Sequence, residues 1–463
     1  MDTDLRSTLA RLRSDVADDL ASSGARALAA ADRRELAREL ALNRLQDVAA
    51  ERVALGQTPI EPVEEQRLAH AVLDALFGLG RLQTLVDDPE IENIDVNGCD
   101  RVWVTYANGW KALAEPIADS DTELVEILRS AAARFGLSER RFDTAHPELD
   151  LRLPDGSRLS ALMSVVERPS VSIRRHRYVD LSLGDLEGLG TVDAFLHSFL
   201  AAAVRARKNI VVGGAMNAGK TTLVRALSAE IPVRERVVTI EQAFELGLDA
   251  MPHRHPDLVA LEARNANAEG EGEITTARLV RRALRMNADR VIVGEVLGDE
   301  VLPMLNAMSQ GRSGSMCTIH ADSSAGVFRR LASYAVQAPE RMPLESTNLL
   351  IAGSIHFVVF IDVVDESTGS PDMRHLSWRH RDEAGPSGER GILSFEPLRR
   401  KRYVASVREV VDAEGLQVIS NEVYLAGATG RTSGTPFRSS TLEELVEHGF
   451  EPASERSDAA TWR

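Results

Sequence analysis

Hydrophobic positions along this chain change their period several times, and each change marks an element or a boundary. Residues 1 to about 57 are rich in Ala, Leu, Arg and Asp with little β-branched clustering, and Leu36, Leu40, Leu42 and Leu45 recur near helical spacing. They predict two or three helices broken near Ser22-Ser23-Gly24, a small helical extension over 1–60. Pro59 to Pro62 reads as a hinge, and Glu64 to Phe77 as a helix ending near Gly78. Beyond it, Arg101-Val102-Trp103-Val104-Thr105-Tyr106 alternates with strand period and runs into the turn signal Asn108-Gly109. Leu149 to Leu162 reads as a hairpin around Pro154-Asp155-Gly156-Ser157, and Ser170 to Arg175 as a further strand. Residues 62–180 are therefore expected to form an α+β domain.

Residues 181–190 have the length and glycine content of a linker between domains. From 191 onward, apolar runs alternate with helical stretches, which implies a parallel sheet. Strands are expected over 210–213, 237–241, 290–294, 314–319 and 355–361, in a core domain over 191–363. Residues 364–463 read as a polar loop, a hairpin over 403–411 and 416–424, and a tail with one short helix near 442–447. The basic run Arg399-Arg400-Lys401-Arg402, with Arg374, Arg379 and Arg381 nearby, reads either as a solvated loop or as a patch that docks on an anionic membrane surface.

Composition narrows the class. The chain has 463 residues, enough for two to four domains, and a formal net charge of −16. That acidity argues against nucleic acid as the main partner. Two cysteines, Cys99 and Cys317, cannot build a disulfide framework or a four-cysteine zinc site. The acidic start and the lack of any run near the roughly 20 apolar residues of a membrane span predict a cytoplasmic protein, peripheral at the membrane.

One run carries specific chemistry. Gly214-Ala215-Met216-Asn217-Ala218-Gly219-Lys220-Thr221 fits the phosphate-binding pattern of Gly, four residues, Gly-Lys-Thr. It follows the apolar run Asn209-Ile210-Val211-Val212-Gly213 and precedes a helical stretch from Thr222, the strand–loop–helix context this motif requires. Gly214, Asn217, Ala218, Gly219, Lys220, Thr221 and Thr222 are thus expected to bind a nucleotide, which the resemblance below makes ATP, with Lys220 on the outer phosphates and the Thr221 hydroxyl on Mg²⁺. Three later segments place polar groups at the ends of apolar strands: Thr239 to Leu246 with Glu245, Leu284 to Val296 with Glu295, and Gly314 to Ala321 with His320. Open parallel sheets bind ligands at that edge. Taken singly, each glutamate could be a solvated surface residue. Their placement after apolar strands in one core favours orienting or deprotonating the attacking water instead. His320 reads as a structural strand-end histidine or as a group that senses the γ-phosphate.

These segments together resemble the secretion and pilus-assembly ATPases of bacterial type II and type IV secretion, most closely the CpaF/TadA branch that powers Tad (Flp) pili. The resemblance spans about residues 65 to 363 and includes Asp95-Val96-Asn97-Gly98, Leu153-Pro154-Asp155-Gly156-Ser157-Arg158 and Glu269-Gly270-Glu271-Gly272-Glu273. It implies an α/β fold: a RecA-like P-loop NTPase core with an N-terminal α+β, PAS-like domain and the small helical extension. It also implies a homo-oligomeric ring, usually a hexamer, that drives inner-membrane platform proteins. By the same resemblance Glu245 activates water, Glu295 acts through Mg²⁺, and Arg158, Arg174, Arg175 and Arg264 reach the γ-phosphate.

The chain departs from the family pattern in three places. Met216-Asn217-Ala218 stands where Thr-Gly-Ser is common, Gln242 where an aspartate is usual, and Arg312 where a histidine often opens the histidine segment. Gln242 implies slower turnover and keeps a hydrolysis-poor regulatory subunit open as a reading. A conjugation-type ATPase that moves nucleic acid is the other alternative.

Overall fold

The computed structural model of the chain describes residues 3–25, 28–58, 60–107, 109–135, 141–175, 180–264, 266, 270–309, 313–366, 394–395, 399–427 and 430–452. They fall into two compact units, 1–175 with 372–397, and 176–371 with 398–463.

The first unit begins with α1 (Thr3–Ser22), α2 (Ala30–Ala54) and α3 (Pro62–Phe77). Leu12, Val16, Ala37, Ala41, Leu45, Leu68 and Val72 close the core the three helices share. Pro62 sits at the start of α3, where its missing N–H would have had no helical partner. After α4 (Leu82–Asp87) come β1 (Ile91–Asn97), β2 (Val102–Tyr106), β3 (Lys111–Ala114), α5 (Asp121–Phe135), β4 (Glu148–Arg152), β5 (Arg158–Leu162) and β6 (Ser170–Arg174). The strands form an antiparallel sheet in the order β3-β2-β1-β6-β5-β4. Leu124, Leu128, Ala131 and Ala132 of α5 join the apolar face of this sheet in one core.

The Asp95 to Gly98 motif has a structural explanation in this unit. Gly98 has φ +79, and its N–H donates to the Pro169 carbonyl at 2.8 Å. A Cβ there would overlap the Arg168 guanidinium, which lies against the glycine. That guanidinium grips Asp121 through Nε (2.7 Å) and Nη2 (2.8 Å), and Asp100 through Nη1 (2.8 Å). The hydrogen bonds from Arg168 hold the Asp121 carboxyl well below the usual carboxylate range. Gly98→Ala is therefore expected to break this clasp and force an L-residue into a left-handed conformation. The expected cost is on the order of 3 kcal/mol, read as a lower denaturation midpoint of the purified protein. An unchanged midpoint would show that the clasp adds no stability.

The second unit contains α6 (Leu183–Gly188), α7 (Ala194–Arg205), β7 (Ile210–Gly214), α8 (Lys220–Ser228), β8 (Val237–Glu241), β9 (Leu258–Glu262), α9 (Thr276–Ala283), β10 (Arg290–Val296), α10 (Val301–Ser309), β11 (Met316–His320), α11 (Ser324–Gln337), α12 (Leu344–Ser354) and β12 (Phe357–Glu366). The two-residue β13 (Ser394–Phe395) pairs with β3 of the first unit's sheet. The second unit then resumes with β14 (Arg399–Glu414), β15 (Gln417–Gly427), β16 (Gly430–Ser433) and α13 (Ser439–Glu447). Among the described residues its nine strands run in the order β16-β15-β14-β12-β7-β11-β10-β8-β9. The six from β12 to β9 are parallel, and β14, β15 and β16 add antiparallel strands beyond β12. The fold is α/β, with a RecA-like parallel core and a sheet-containing N-terminal domain.

Two expected boundaries give way here. Residues 181–190 are no linker. Ser182 and Asp185 form a reciprocal capping box that starts α6, and Leu183 and Leu186 enter the apolar core of the unit. Nor does the core sheet stop at 363, because the hairpin β14–β15 pairs directly with β12 and buries Val404, Val407 and Val423. The hairpin itself lies where alternation and Gly415 indicate, with Gly415 at φ +56 in the turn. Strand β9 carries no expectation from the sequence, since each of its residues is only half-buried.

A buried polar residue fixes the strand that leads to the phosphate loop. Asn209, fully buried just before β7, donates through Nδ2 to the carbonyls of Met308 (2.8 Å) and Ser354 (2.6 Å). Its Oδ1 accepts from the N–H groups of Gly314 (2.8 Å) and Ser315 (3.0 Å). The side chain thereby satisfies its full hydrogen-bonding capacity and ties β7 to the ends of α10 and α12 and to the approach to β11.

Candidate functional site

The loop after β7 is shaped by close contacts. Gly214 ends the strand, and a Cβ on it would lie 2.5 Å from the Ile361 carbonyl oxygen of β12. Asn217 and Gly219 both adopt left-handed conformations, with φ of +60 and +99. Two such residues in one short loop curl the backbone into an anion-binding concavity. Ala218 is wholly buried beneath it, and Met216 is 75% exposed at its tip. Gly219 leads directly into α8, whose first turn holds Lys220, Thr221 and Thr222. The positive end of the helix therefore faces the loop.

Three of the expected side chains meet in one chain of contacts. Lys220, only 7% exposed, donates through Nζ to the Ala215 carbonyl at 2.9 Å and lies 3.0 Å from Nδ1 of His320. His320 Nε2 lies 2.8 Å from Oε1 of Glu295. An ammonium group has donors only, so the contact geometry assigns Nδ1 as acceptor from Lys220 and Nε2–H as donor to Glu295. The sheet order makes this meeting possible. β11 lies between β7 and β10, so His320 stands between the loop lysine and the β10 carboxylate. Thr318 pins the two strand ends together by donating from Oγ1 to the Gly294 carbonyl at 2.6 Å.

Glu245 follows β8 and is half-buried. Its backbone is held on both sides by residues that the sequence alone did not single out. Glu241, 3% exposed, accepts through Oε2 from the N–H groups of Glu245 and Leu246, both at 2.7 Å. Arg225 of α8 donates through Nε to the Leu246 carbonyl at 2.8 Å and through Nη2 to the Glu245 carbonyl. The acidic segment is thus clamped to the helix that carries Lys220. A carboxylate ending the apolar run Val237 to Ile240 was the available signal for Glu241. Arg225 had none, since its partner lies 20 residues away. Gln242 is committed elsewhere, with its Oε1 accepting from the Thr276 hydroxyl at 3.2 Å.

Burial pushes the Glu241 carboxyl up to about 7, against the opposing pull of its two N–H donors. The sign follows from linkage. Between the ordinary glutamate value and 7 the folded state holds a proton that the unfolded state has lost, so stability falls as pH rises through that window. His356 works the other way. It accepts the Asn209 N–H at 3.0 Å and is held down to about 4, chiefly by burial, so its contribution falls as pH drops from about 6.5 toward 4. The two trends offset each other in the parent. Comparing Glu241→Gln with the parent isolates the first. The variant is expected to gain about 3 kcal/mol relative to the parent between pH 4.5 and 7.5 in denaturant titrations. A difference that stays flat with pH would show that Glu241 keeps its charge throughout.

The expected arginines are divided between the two units. Arg264 is exposed, forms a bridge with Ile274 and donates through Nε to the Gly272 carbonyl at 2.8 Å, closing the loop that carries Gly270 and Gly272. Arg158, Arg174 and Arg175 belong to the first unit. Arg158 and Arg174 stand opposite each other across β5 and β6. Arg175 approaches Asp155 at 3.8 Å and bonds the Asp88 carbonyl. Arg312 lies outside the described residues, as do Arg374, Arg379 and Arg381.

Comparison with known proteins identifies the family. The profile for type II/IV secretion system proteins matches residues 75–422. The chain belongs to that family. A Mycobacterium tuberculosis protein named for conjugal transfer is 36% identical over 265 residues, covering 55% of this chain and 72% of that protein. The Brucella suis type IV secretion system protein VirB11 is 31% identical over 337 residues, covering 65% of this chain and 88% of the relative. A crystal structure of the Brucella suis VirB11 ATPase with sulphate aligns over 62% of this chain and 92% of its own, at 26% identity and a TM-score of 0.32. The family is one of secretion-system ATPases, so the chain is placed among nucleotide-using motors of secretion or pilus systems. Among the described residues, no helix is long and apolar enough to cross a membrane.

Proposed function

We propose that this chain is an ATP-hydrolysing motor that works as a homo-oligomeric ring, a hexamer, at the inner face of the cytoplasmic membrane and drives a pilus or secretion platform there. We place it in the CpaF/TadA branch, with Tad pilus assembly as its task. The contact chain Lys220–His320–Glu295 at the mouth of the phosphate loop carries the reading. The loop fits a nucleotide phosphate because its two left-handed residues curl the backbone into a concavity and the buried Lys220 ammonium reaches across it to the Ala215 carbonyl. Thr221 and Glu295 would hold Mg²⁺, which needs few protein ligands when substrate phosphates complete its shell. When bound, the metal neutralises phosphate charge.

This chain's own residues do the rest. Lys220 binds and orients the outer phosphates. Glu245, clamped by Glu241 and Arg225, orients the attacking water. His320 couples the two events, because a phosphate that draws the Lys220 ammonium away also removes the donor to Nδ1 and frees the imidazole that faces Glu295. Arg158, Arg174, Arg175 and Arg264 neutralise charge growing on the γ-phosphate. The test is steady-state phosphate release by the full-length protein with ATP and Mg²⁺, with Glu245→Gln alongside. No release above the Glu245→Gln background would overturn the motor and favour a hydrolysis-poor regulatory subunit.

A second reading, a motor for conjugal DNA transfer, draws support from the name of the Mycobacterium tuberculosis relative. The net charge of −16 weighs against direct contact with nucleic acid. Anisotropy of labelled single-stranded DNA across a salt series separates the two, since a translocase binds at physiological salt with a steep salt slope.

A further inference from the structure

The basic run 399–402 opens strand β14 rather than lying in a loop. β14 is antiparallel to β12, so its first residues lie beside the C-terminal ends of the parallel strands, the edge where open α/β sheets bind ligands. The register makes the placement specific. Ile361 of β12 pairs with Gly214 on one side and with Val404 on the other, and Arg402 pairs with Val363, two positions further toward the phosphate loop. Arg402 reaches that loop. Its Nε donates to the Asn217 carbonyl at 3.2 Å, and its Cδ lies 3.4 Å from where a Cβ on Gly219 would stand. The contact therefore spans both left-handed residues. Asn217 is a non-glycine residue at φ +60, a conformation that costs energy and persists only where the surroundings hold it.

We propose that Arg402 is a positioning residue of the nucleotide site: from the C-terminal hairpin it braces the Asn217–Gly219 turn from outside and so sets affinity for nucleoside di- and triphosphates. The inference rests on the reading that this loop binds nucleotide phosphate. It replaces the membrane-docking role for this residue, because the guanidinium is turned to the loop. Since the brace acts on the loop before and after hydrolysis alike, ADP and ATP feel its loss equally and the chemical step does not.

The test uses full-length protein and fluorescent N-methylanthraniloyl-ADP and -ATP. Arg402→Gln is expected to raise both Kd values by about tenfold, and to raise KM for ATP to match while kcat at saturation stays within about twofold. Arg402→Lys, which keeps one charged donor, is expected to recover part of the affinity. Arg408→Gln perturbs the same hairpin away from the loop, where Arg408 donates to Ser324 at 2.9 Å and to Glu422 at 3.0 Å, and should leave Kd unchanged. Arg402→Gln binding within about twofold of the parent overturns the proposal, as does an equal loss in Arg408→Gln or a fall in kcat with KM unchanged. Lys220→Ala run in parallel separates the two levels. If it binds nucleotide like the parent, the nucleotide-site reading falls and the Arg402 role with it. If it loses binding while Arg402→Gln does not, only the Arg402 role falls.

Discussion

Lys220→Ala is expected to weaken nucleotide binding by at least about a hundredfold and to abolish measurable ATP hydrolysis. The ammonium sits at the start of α8, 7% exposed, with Ala215 and His320 as its neighbours. Hydrogen bonds to charged groups contribute about 1.5–3 kcal/mol each, and a lysine serving two phosphate oxygens supplies two of them. At about 1.4 kcal/mol per factor of ten, their loss reaches the stated range. The substitution also removes the donor to His320 Nδ1, so the side chain that faces Glu295 loses one of its two anchors. Titration calorimetry with ADP and phosphate-release assays on the folded variant measure the effect. Normal turnover would remove Lys220, and with it the loop, from the active site.

The parts of this site that are local in sequence were legible, and the parts that depend on distant pairing were not. The phosphate loop is contiguous, and its glycines and lysine declare their chemistry by spacing. The strands that feed it are apolar runs of four or five residues with polar ends. By contrast, the Lys220–His320 contact joins residues 100 positions apart. The sequence could place Lys220 at the end of the phosphate loop and His320 at a strand end, but adjacency depends on β11 lying beside β7, which no local pattern encodes. Arg402 is further away still, 185 positions from Asn217. Its run of four cations looked like a charged surface because periodicity does not reveal which strand pairs with which.

Other misreadings have local causes. Glycine content made 181–190 look like a linker, although Ser182 and Asp185 carried the spacing of a capping box three residues apart. Helix α5 carries buried Leu124, Leu128, Ala131 and Ala132 at helical spacing, so that pattern was present and unread. Gln242 is a subtler case. Seen as a residue type it suggests a weakened acidic segment. In the structure its amide holds Thr276 at the start of α9, while Glu245 keeps its own separate clamp. The substitution therefore bears on how α9 is anchored as well as on the charge of the segment.

Glu295→Gln is expected to slow hydrolysis by two to three orders of magnitude, roughly the range a positioned carboxylate supplies, while leaving nucleotide affinity within about threefold of the parent. Glutamine is the informative replacement because its carbonyl oxygen can still accept the His320 Nε2 proton that Oε1 accepts at 2.8 Å. The contact chain from Lys220 then stays intact and only the negative charge is lost. Glu295→Ala would remove both at once, leaving His320 without its acceptor, and so would confuse charge with geometry. The half-exposed position of Glu295 means that no large folding penalty accompanies the change, and the melting temperature should shift little. The predicted state is a protein that holds ATP without turning it over. Incubation with radiolabelled ATP, followed by gel filtration and chromatography of the bound nucleotide, should recover ATP from the variant and ADP from the parent. Recovery of ADP at the parental rate would show that the carboxylate has no part in the chemical step, and a variant that fails to fold would make Glu295 a structural partner of His320 instead.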